Sequence, residues 1–287
     1  MFFIILFTIL SALGSALIYI FTGLYANLAF LIWFPIVVFL GLWLIQFILL
    51  CLWIIVSSWF INVKKPQDMP NLYCQWILSQ AGDVIKFLLR TPVIMKKEDR
   101  KFFKELRKSK IPHIIVANHT SNLDQFLFWS LFKGMPVVAL SKPEIQKIPV
   151  IGKYSYRAGN ISINRDNPMQ ALRGISKSVN FLKENPTTSL SMFPEGTRSK
   201  TGELGPFHAT TFIIPEKTKL PIILITIQNA DKMKHRLLLW TKIYIDVVKE
   251  ISKEEVEKMS TQEMSDLSRQ LIYEHLEQNK YRLYKTK

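Results

Sequence analysis

Residues 118–124 read "NHTSNLD", directly after the apolar run "HIIVA" at 113–117. His119 and Asp124 are a base and a carboxylate five positions apart. A carboxylate that binds one ring nitrogen fixes the tautomer and makes the other nitrogen a better base. On a continuous helix of 3.6 residues per turn, residues five apart point about 140° away from each other. The pair meets only if 119–121 forms a turn before a helix begins. The stretch also reads as helix punctuation, because Ser121 followed three residues later by an acid fits a capping box. The two readings are compatible, since a capped helix start is a stiff support for a carboxylate.

Two further stretches carry candidate chemistry. "MFPEGTRS" (192–199) follows the strand-like "TSLSMF" and crowds Glu195, Thr197 and Arg198 into a turn with Pro194 and Gly196. Arginine offers a planar fork for a phosphate, and glycine lets a ligand approach the backbone. "GNISINR" (159–165) ends on Arg165, which reads either as a surface cation or as a second anion contact.

These residues sit in a chain with a sharp internal boundary. Residues 1–62 contain no Asp, Glu, Lys, Arg or His, so all 37 basic and 22 acidic residues, and the whole formal charge of +15, fall in 63–287. A membrane helix needs about 20 mostly apolar residues. The neutral segment accommodates two, expected near 2–21 and 31–60 with a turn at "TGLYAN" (22–27). A re-entrant or interfacial hairpin is the alternative. There is no basic start and no short apolar run of signal-peptide type. Lys64 and Lys65 follow the second span and the 22–27 loop has no cation, so the positive-inside rule puts 63–287 in the cytoplasm. The chain is read as a membrane-anchoring helical hairpin, 1–62, and a second domain, 63–287.

The basic balance calls for an anionic partner, and with a membrane anchor lipid comes first. "KKEDRKFFKELRKSK" (96–110) reads as a solvated helix face or as a contact with a membrane surface. The two cysteines, Cys51 and Cys74, show no zinc or disulfide spacing. No Walker A, dinucleotide-glycine, GxSxG or HExxH pattern is present, and no metal site is expected.

The elements that would position the candidate residues alternate. Helical spacing runs over 71–90, 125–134 and 169–185. Short apolar runs at 113–117, 136–141, 159–164, 188–193, 220–227, 235–240 and 242–248 read as strands, and 252–282 as a polar helix or two. This predicts an α/β fold, a mixed β-sheet flanked by helices, preceded by the N-terminal hydrophobic two-helix membrane hairpin.

In this order and spacing, the three blocks resemble those of the glycerolipid acyltransferase family, of the bacterial 1-acylglycerol-3-phosphate acyltransferase type. "NHTSNLD" matches the family's His-x4-Asp block, "KPEIQKIPVIGKYSYRAGNISINR" (142–165) its second, and "FPEGTRS" (193–199) its third residue for residue. The departures are Asn164 where an Asp is usual, His208 in "PFHATT" where Lys-Gly is common, and a single proline, Pro221, in the fourth block. The resemblance implies an acyltransferase domain that moves a fatty acyl group from a thioester, acyl-CoA or acyl carrier protein, to the free hydroxyl of lysophosphatidic acid. The product would be phosphatidic acid, made in phospholipid biosynthesis. It implies His119 as catalytic base, Asp124 as its orienting catalytic partner, and Ser121, Arg165, Glu195, Gly196, Thr197 and Arg198 at the substrate. No cofactor beyond the donor is implied, and the partners are the lysophospholipid, the donor and the bilayer, not nucleic acid. The alternatives are another lysophospholipid or glycerol 3-phosphate as acceptor, or a non-catalytic, membrane-anchored protein that binds anionic ligands.

Overall fold

A computed structural model of the chain describes residues 2–23, 33–65, 67–164, 167–199, 202–234 and 239–283. They fall into two compact units, Met1–Asn62 and Val63–Lys287. The first consists of α1 (Phe2–Thr22) and α2 (Trp33–Trp59). Both are long and apolar enough to cross a membrane. The expected turn at 22–27 lies mostly outside the described residues. Along the contact between the helices, Ser15 Oγ donates to the Pro35 carbonyl at 2.7 Å and Gln46 Nε2 donates to Ser11 Oγ at 2.9 Å. A Cβ on Gly14 would stand 2.9 Å from Leu42 Cδ1. Small residues let apolar helices approach, and side-chain hydrogen bonds between them hold their relative rotation.

The second unit is a layered α/β domain. It contains α3 (Leu72–Leu88), β1 (Val93–Ile94), α4 (Lys97–Ser109), β2 (Ile114–Ala117), α5 (Asp124–Leu131), β3 (Val137–Ser141), α6 (Pro143–Lys147) and α7 (Ile151–Arg157). There follow β4 (Ile161–Ser162), α8 (Pro168–Glu184), β5 (Ser189–Met192), α9 (Ile213–Thr218), β6 (Ile222–Gln228), β7 (Ile243–Ile251), α10 (Lys253–Lys258) and α11 (Thr261–Gln278). The sheet order is β1-β7-β6-β2-β5-β3-β4. Among the described residues only β6 and β7 pair antiparallel; the other pairs are parallel, so the sheet is mixed as expected.

The central strands are buried on both faces, which is why they read as unbroken apolar runs rather than alternating ones. Alternate residues still go to opposite sides. Ile114, Val116, Leu190, Met192, Ile222 and Leu224 pack with α8 and α11 through residues such as Ile175, Val179, Met264 and Ile272. Ile115, Ala117, Ile223 and Ile225 pack with α4 and α5 through Phe103, Leu106, Leu127 and Phe128. The cation-rich 96–110 stretch thus turns Phe103 and Leu106 into the core and leaves its lysines and arginines exposed.

Some expected elements differ. Residues 235–238 of the expected strand "HRLLLW" lie outside the described residues, and Leu239 and Trp240 are exposed and not in a strand. Helix α5 stops at Leu131, and the chain then passes through Gly134 at φ +84, a left-handed conformation that glycine adopts without strain. The polar tail forms α10 and α11, each opened by a complete capping box, Ser252 with Glu255 and Ser260 with Glu263.

Helices α3 and α5 approach closely, since a Cβ on Gly82 would lie 2.4 Å from the Phe126 carbonyl oxygen. Next to it, Asp83 Oδ1 accepts from Ser130 Oγ at 2.6 Å and pairs with Lys86 Nζ at 2.9 Å. Burial acts to raise the Asp83 pKa, while hydrogen bonds from Ser130 and Lys86 and the Lys86 charge act to lower it. A depressed carboxyl pKa gives stability that is present above the unfolded-state value of about 3.9 and is lost as pH falls toward the folded value. Asp83→Asn should therefore lower stability near neutral pH by about 1–3 kcal/mol. The difference from the parent should shrink as the pH is lowered below about 4, read by denaturant unfolding at each pH.

Candidate active site

In the sheet β2 and β5 are parallel neighbours, with Val116 opposite Met192. Their following segments therefore leave the same edge of the sheet side by side. One carries Asn118 and His119, the other Phe193 through Ser199. Carboxyl ends of strands are where open α/β sheets build their sites.

Asn118 fastens the first segment. Its side chain donates to the Ile227 carbonyl at 2.9 Å and accepts from the Ile227 amide at 2.8 Å, so it continues the β2–β6 ladder one step beyond the strand. The chain then turns, and the turn brings the distant carboxylate back. His119 Nδ1 lies 2.9 Å from Asp124 Oδ2. The same oxygen accepts from the amides of Thr120 at 2.7 Å and Ser121 at 2.8 Å. With a carboxylate as partner, Nδ1 carries the hydrogen and Nε2 keeps its lone pair. Asp124 is fully buried, whereas the His119 side chain is 18% exposed.

The capping box takes a different form from the one expected. Ser121 is not the residue preceding α5; Leu123 is. Only half of the reciprocal arrangement forms, the Ser121 amide donating to Asp124, while Ser121 Oγ accepts from the Leu123 amide at 3.2 Å. The acid is drawn back over the 119–121 turn by three donors, so Asp124 serves the histidine and the turn at once.

The second segment covers the histidine. Phe193 stacks on the His119 ring with centroids 4.3 Å apart and planes 15° apart, and Phe128 meets Phe193 edge-on at 5.3 Å. Glu195 joins the two segments. Its Oε1 accepts from the His119 amide at 2.6 Å and its Oε2 from the Gly205 amide at 2.9 Å. Burial raises the Glu195 pKa above its ordinary value, against the pull of those two amides. Both oxygens are thus engaged by backbone, and Glu195 shapes the loop rather than offering a free carboxylate. The Ser199 amide closes the connection by donating to the His119 carbonyl at 2.9 Å.

Beside this junction lies a cavity of about 350 Å³ lined by Glu195, Thr197, Arg198, Ser199, Glu203, Leu204, Gly205, Pro206 and His208. Gly196 is buried with φ +72, and Thr197 and Arg198 are exposed. The structure therefore brings His119, Asp124, Ser121, Glu195, Gly196, Thr197 and Arg198 into one region. Arg165 lies outside the described residues. His208 was visible in the sequence only as a departure from the family pattern; it lines the same cavity as Arg198. Phe193 and Asn118 carry no titratable group, so residue chemistry gave no signal for them. A second cavity, about 230 Å³, is lined by Phe128 together with Leu72, Trp76, Trp129, Phe132 and Val137.

Other candidate groups are absent from this chemistry. Among the described residues no cluster of three or more His, Cys, Asp or Glu is arranged for a metal ion. Burial pushes the Cys74 thiol up to about 11, against an opposing effect of Arg157, which leaves it a poor nucleophile.

Residues 99–228 match the family model described as Acyltransferase. Over 137 residues, 48% of its length, the chain is 35% identical to the chloroplastic 1-acyl-sn-glycerol-3-phosphate acyltransferase BAT2 of Brassica napus, and the match takes in 39% of that protein. It is 28% identical to a 1-acyl-sn-glycerol-3-phosphate acyltransferase of Saccharomyces cerevisiae, over 72% of this chain and 67% of that one. A Salmonella typhimurium protein of the same name is 33% identical over 41% of this chain and 47% of its own length. The chain thus spans less than half the length of the Brassica and Salmonella relatives it matches. In fold it is similar to the crystal structure of the 1-acyl-sn-glycerophosphate (LPA) acyltransferase PlsC from Thermotoga maritima, with a TM-score of 0.58 and 19% identity over 97% of this chain and 98% of that one.

The stacked ring makes a prediction that does not depend on the reaction. Phe193→Ala removes the surface on which His119 rests and opens a void beside Phe128. A loss of about 3–5 kcal/mol of stability is expected, measured by chemical denaturation. A stability within 1 kcal/mol of the parent would mean that the ring stack bears little load.

Proposed function

From the match of residues 99–228 to the family model described as Acyltransferase, we propose that the chain is an acyltransferase that transfers a fatty acyl group from an acyl thioester to the free hydroxyl of lysophosphatidic acid, giving phosphatidic acid. The observation that carries this reading is the His119–Asp124 contact at 2.9 Å, with Nε2 left free to accept a proton. In the reaction His119 Nε2 takes the proton of the acceptor hydroxyl as that oxygen attacks the thioester carbonyl. Asp124 holds the imidazole in the needed tautomer and stabilises the imidazolium as it forms. The tetrahedral intermediate then collapses, the carbon–sulfur bond breaks, and the imidazolium returns its proton to the departing thiolate. The chemistry needs no metal and no protein nucleophile.

Arg198 and Thr197 open onto the 350 Å³ cavity beside His119 and are assigned to the acceptor phosphate. Gly196 permits the close turn that presents them, and Ser121 and Glu195 hold the flanking backbone. Arg165 is assigned to the same phosphate on the strength of the sequence block alone. The apolar cavity bordered by Phe128 offers room for part of an acyl chain. Acyl-CoA and acyl carrier protein both fit as donors, and the charge of +15 suits either one's phosphates or acidic surface.

Two arms of one assay test this. Purified protein in detergent is supplied with acyl-CoA or acyl carrier protein and a panel comprising lysophosphatidic acid, other lysophospholipids and glycerol 3-phosphate. His119→Ala should lower the rate by at least the 10²–10⁴-fold that general base catalysis contributes. Arg198→Ala should mainly raise KM for the acceptor. If lysophosphatidic acid ranked among the poorest acceptors, the assignment would fail while the reaction class stood.

The hairpin is assigned to the bilayer, with 63–287 on the cytoplasmic side, where Lys64 and Lys65 follow the second span. Alkaline carbonate should leave the protein in the membrane pellet, and release of the intact chain into the supernatant would overturn the anchoring.

A further inference from the structure

The candidate site is tied to a residue that lies well outside the three sequence blocks. Arg269 sits in the middle of α11, beyond the 99–228 segment. Its Nε donates to the Gly205 carbonyl at 3.0 Å, and its Nη2 reaches the Leu204 carbonyl at 3.5 Å. The Gly205 amide points the other way and donates to Glu195 Oε2, whose sister oxygen holds the His119 amide. One peptide segment is thus gripped on its carbonyl side by a helix and on its amide side by the carboxylate that anchors the histidine.

The geometry points to Arg269 as a positioning residue for the acyltransferase site: through Leu204 and Gly205 it fixes Glu195, and through Glu195 the backbone of His119.

Three observations give this connection its stiffness. The helix is anchored independently of the arginine, by the Ser260–Glu263 capping box at its start and by Met264 and Ile272 in the core. Gly205 stands close against the carboxylate, since a Cβ there would lie 3.0 Å from Glu195 Oε2. Glu195 is 5% exposed, so losing the Gly205 amide would leave one buried carboxylate oxygen unpaired. The loop cannot drift without disturbing Glu195, and Glu195 cannot shift without moving the peptide of His119. Leu204 and Gly205 also line the cavity assigned to the acceptor, so the same displacement reshapes that cavity. A fork that reaches adjacent carbonyls suits arginine's planar group, and a lysine ammonium on its flexible stem does not reproduce it.

The test uses the full chain in detergent, with rates normalised to folded protein. Amide hydrogen exchange is the first readout, because it does not require activity. In Arg269→Ala the Gly205 amide should exchange at least tenfold faster, while the core-facing amides of α11 keep their protection. In the acyl-transfer assay, kcat should fall and acceptor KM should rise, with kcat/KM lower by about 5–30-fold, equivalent to about 1–2 kcal/mol. Arg269→Lys should recover only part of the loss. Glu195→Gln on its own should affect the same parameters, and because the two residues act along one path, the double variant should lose less than the product of the single losses. Unchanged Gly205 exchange in Arg269→Ala overturns the proposal, as does a double variant whose losses simply multiply. The kinetic arm rests on the proposed function. If the parent protein transferred no acyl group to any acceptor, that function would be rejected, and the exchange measurement would still decide whether Arg269 holds the loop.

Discussion

One carboxylate oxygen organises this site. Asp124 Oδ2 accepts from the His119 ring and from two consecutive backbone amides, inside a side chain that is wholly removed from solvent. A buried carboxylate is tolerable only when donors surround it. The three donors come from the residues immediately upstream, so the charge cannot be satisfied unless the chain bends at 119–121. The bend in turn points the imidazole back at its partner. Turn geometry, tautomer and burial are therefore a single constraint: removing the acid would loosen the turn as well as the histidine.

The sheet supplies the other half of the arrangement. The parallel pairing of β2 with β5 delivers the Phe193–Ser199 segment to the histidine at close range, and the β2–β6 pairing is extended past the strand end by the Asn118 side chain. Helix α5, which starts at Asp124, cannot slide, because its other end is clamped to α3 by Ser130 and Asp83 and the two helices touch at Gly82. The apparent simplicity of a two-residue site thus rests on a strand ladder on one side and a helix clamp on the other.

Much of this was legible in the sequence, for identifiable reasons. Strands buried on both faces advertise themselves as apolar runs, which is how Ile114–Ala117 and Ile222–Gln228 were found to within two residues. The charge-free stretches Phe2–Thr22 and Trp33–Trp59 needed no periodicity to be recognised as helical and apolar. His119 and Asp124 were visible because their residue types and spacing have a chemical meaning. The misses also have causes. Strand β1 is two residues long, too short for any period to register. Of the run "HRLLLW", which has the composition of a strand, only Leu239 and Trp240 lie among the described residues, and these two are exposed and outside any strand. Glu195 looked like a ligand-facing acid, whereas its partners are two backbone amides contributed from 76 positions upstream and 10 downstream in the chain, a contact that no local pattern encodes. Arg269 is likewise an ordinary helix cation until its carbonyl partners are seen.

The place of β1 at the edge of the sheet, paired to β7, has a consequence for how the chain is assembled. Strand β1 bonds only to β7, and Val93 must find Ile243 across about 150 residues of intervening sequence. On a ribosome, which delivers the N-terminal part first, the strands β2, β3 and β5 that meet beneath the histidine are all available before β7 is made. The segment 93–94 and the margin it completes have to wait for the last third of the chain. Such distant closure is slow and exposes unpaired strand edges in the interval. The growing polypeptide would therefore hold the strands beneath the histidine beside an open border until β7, near the end of the chain, seals the sheet.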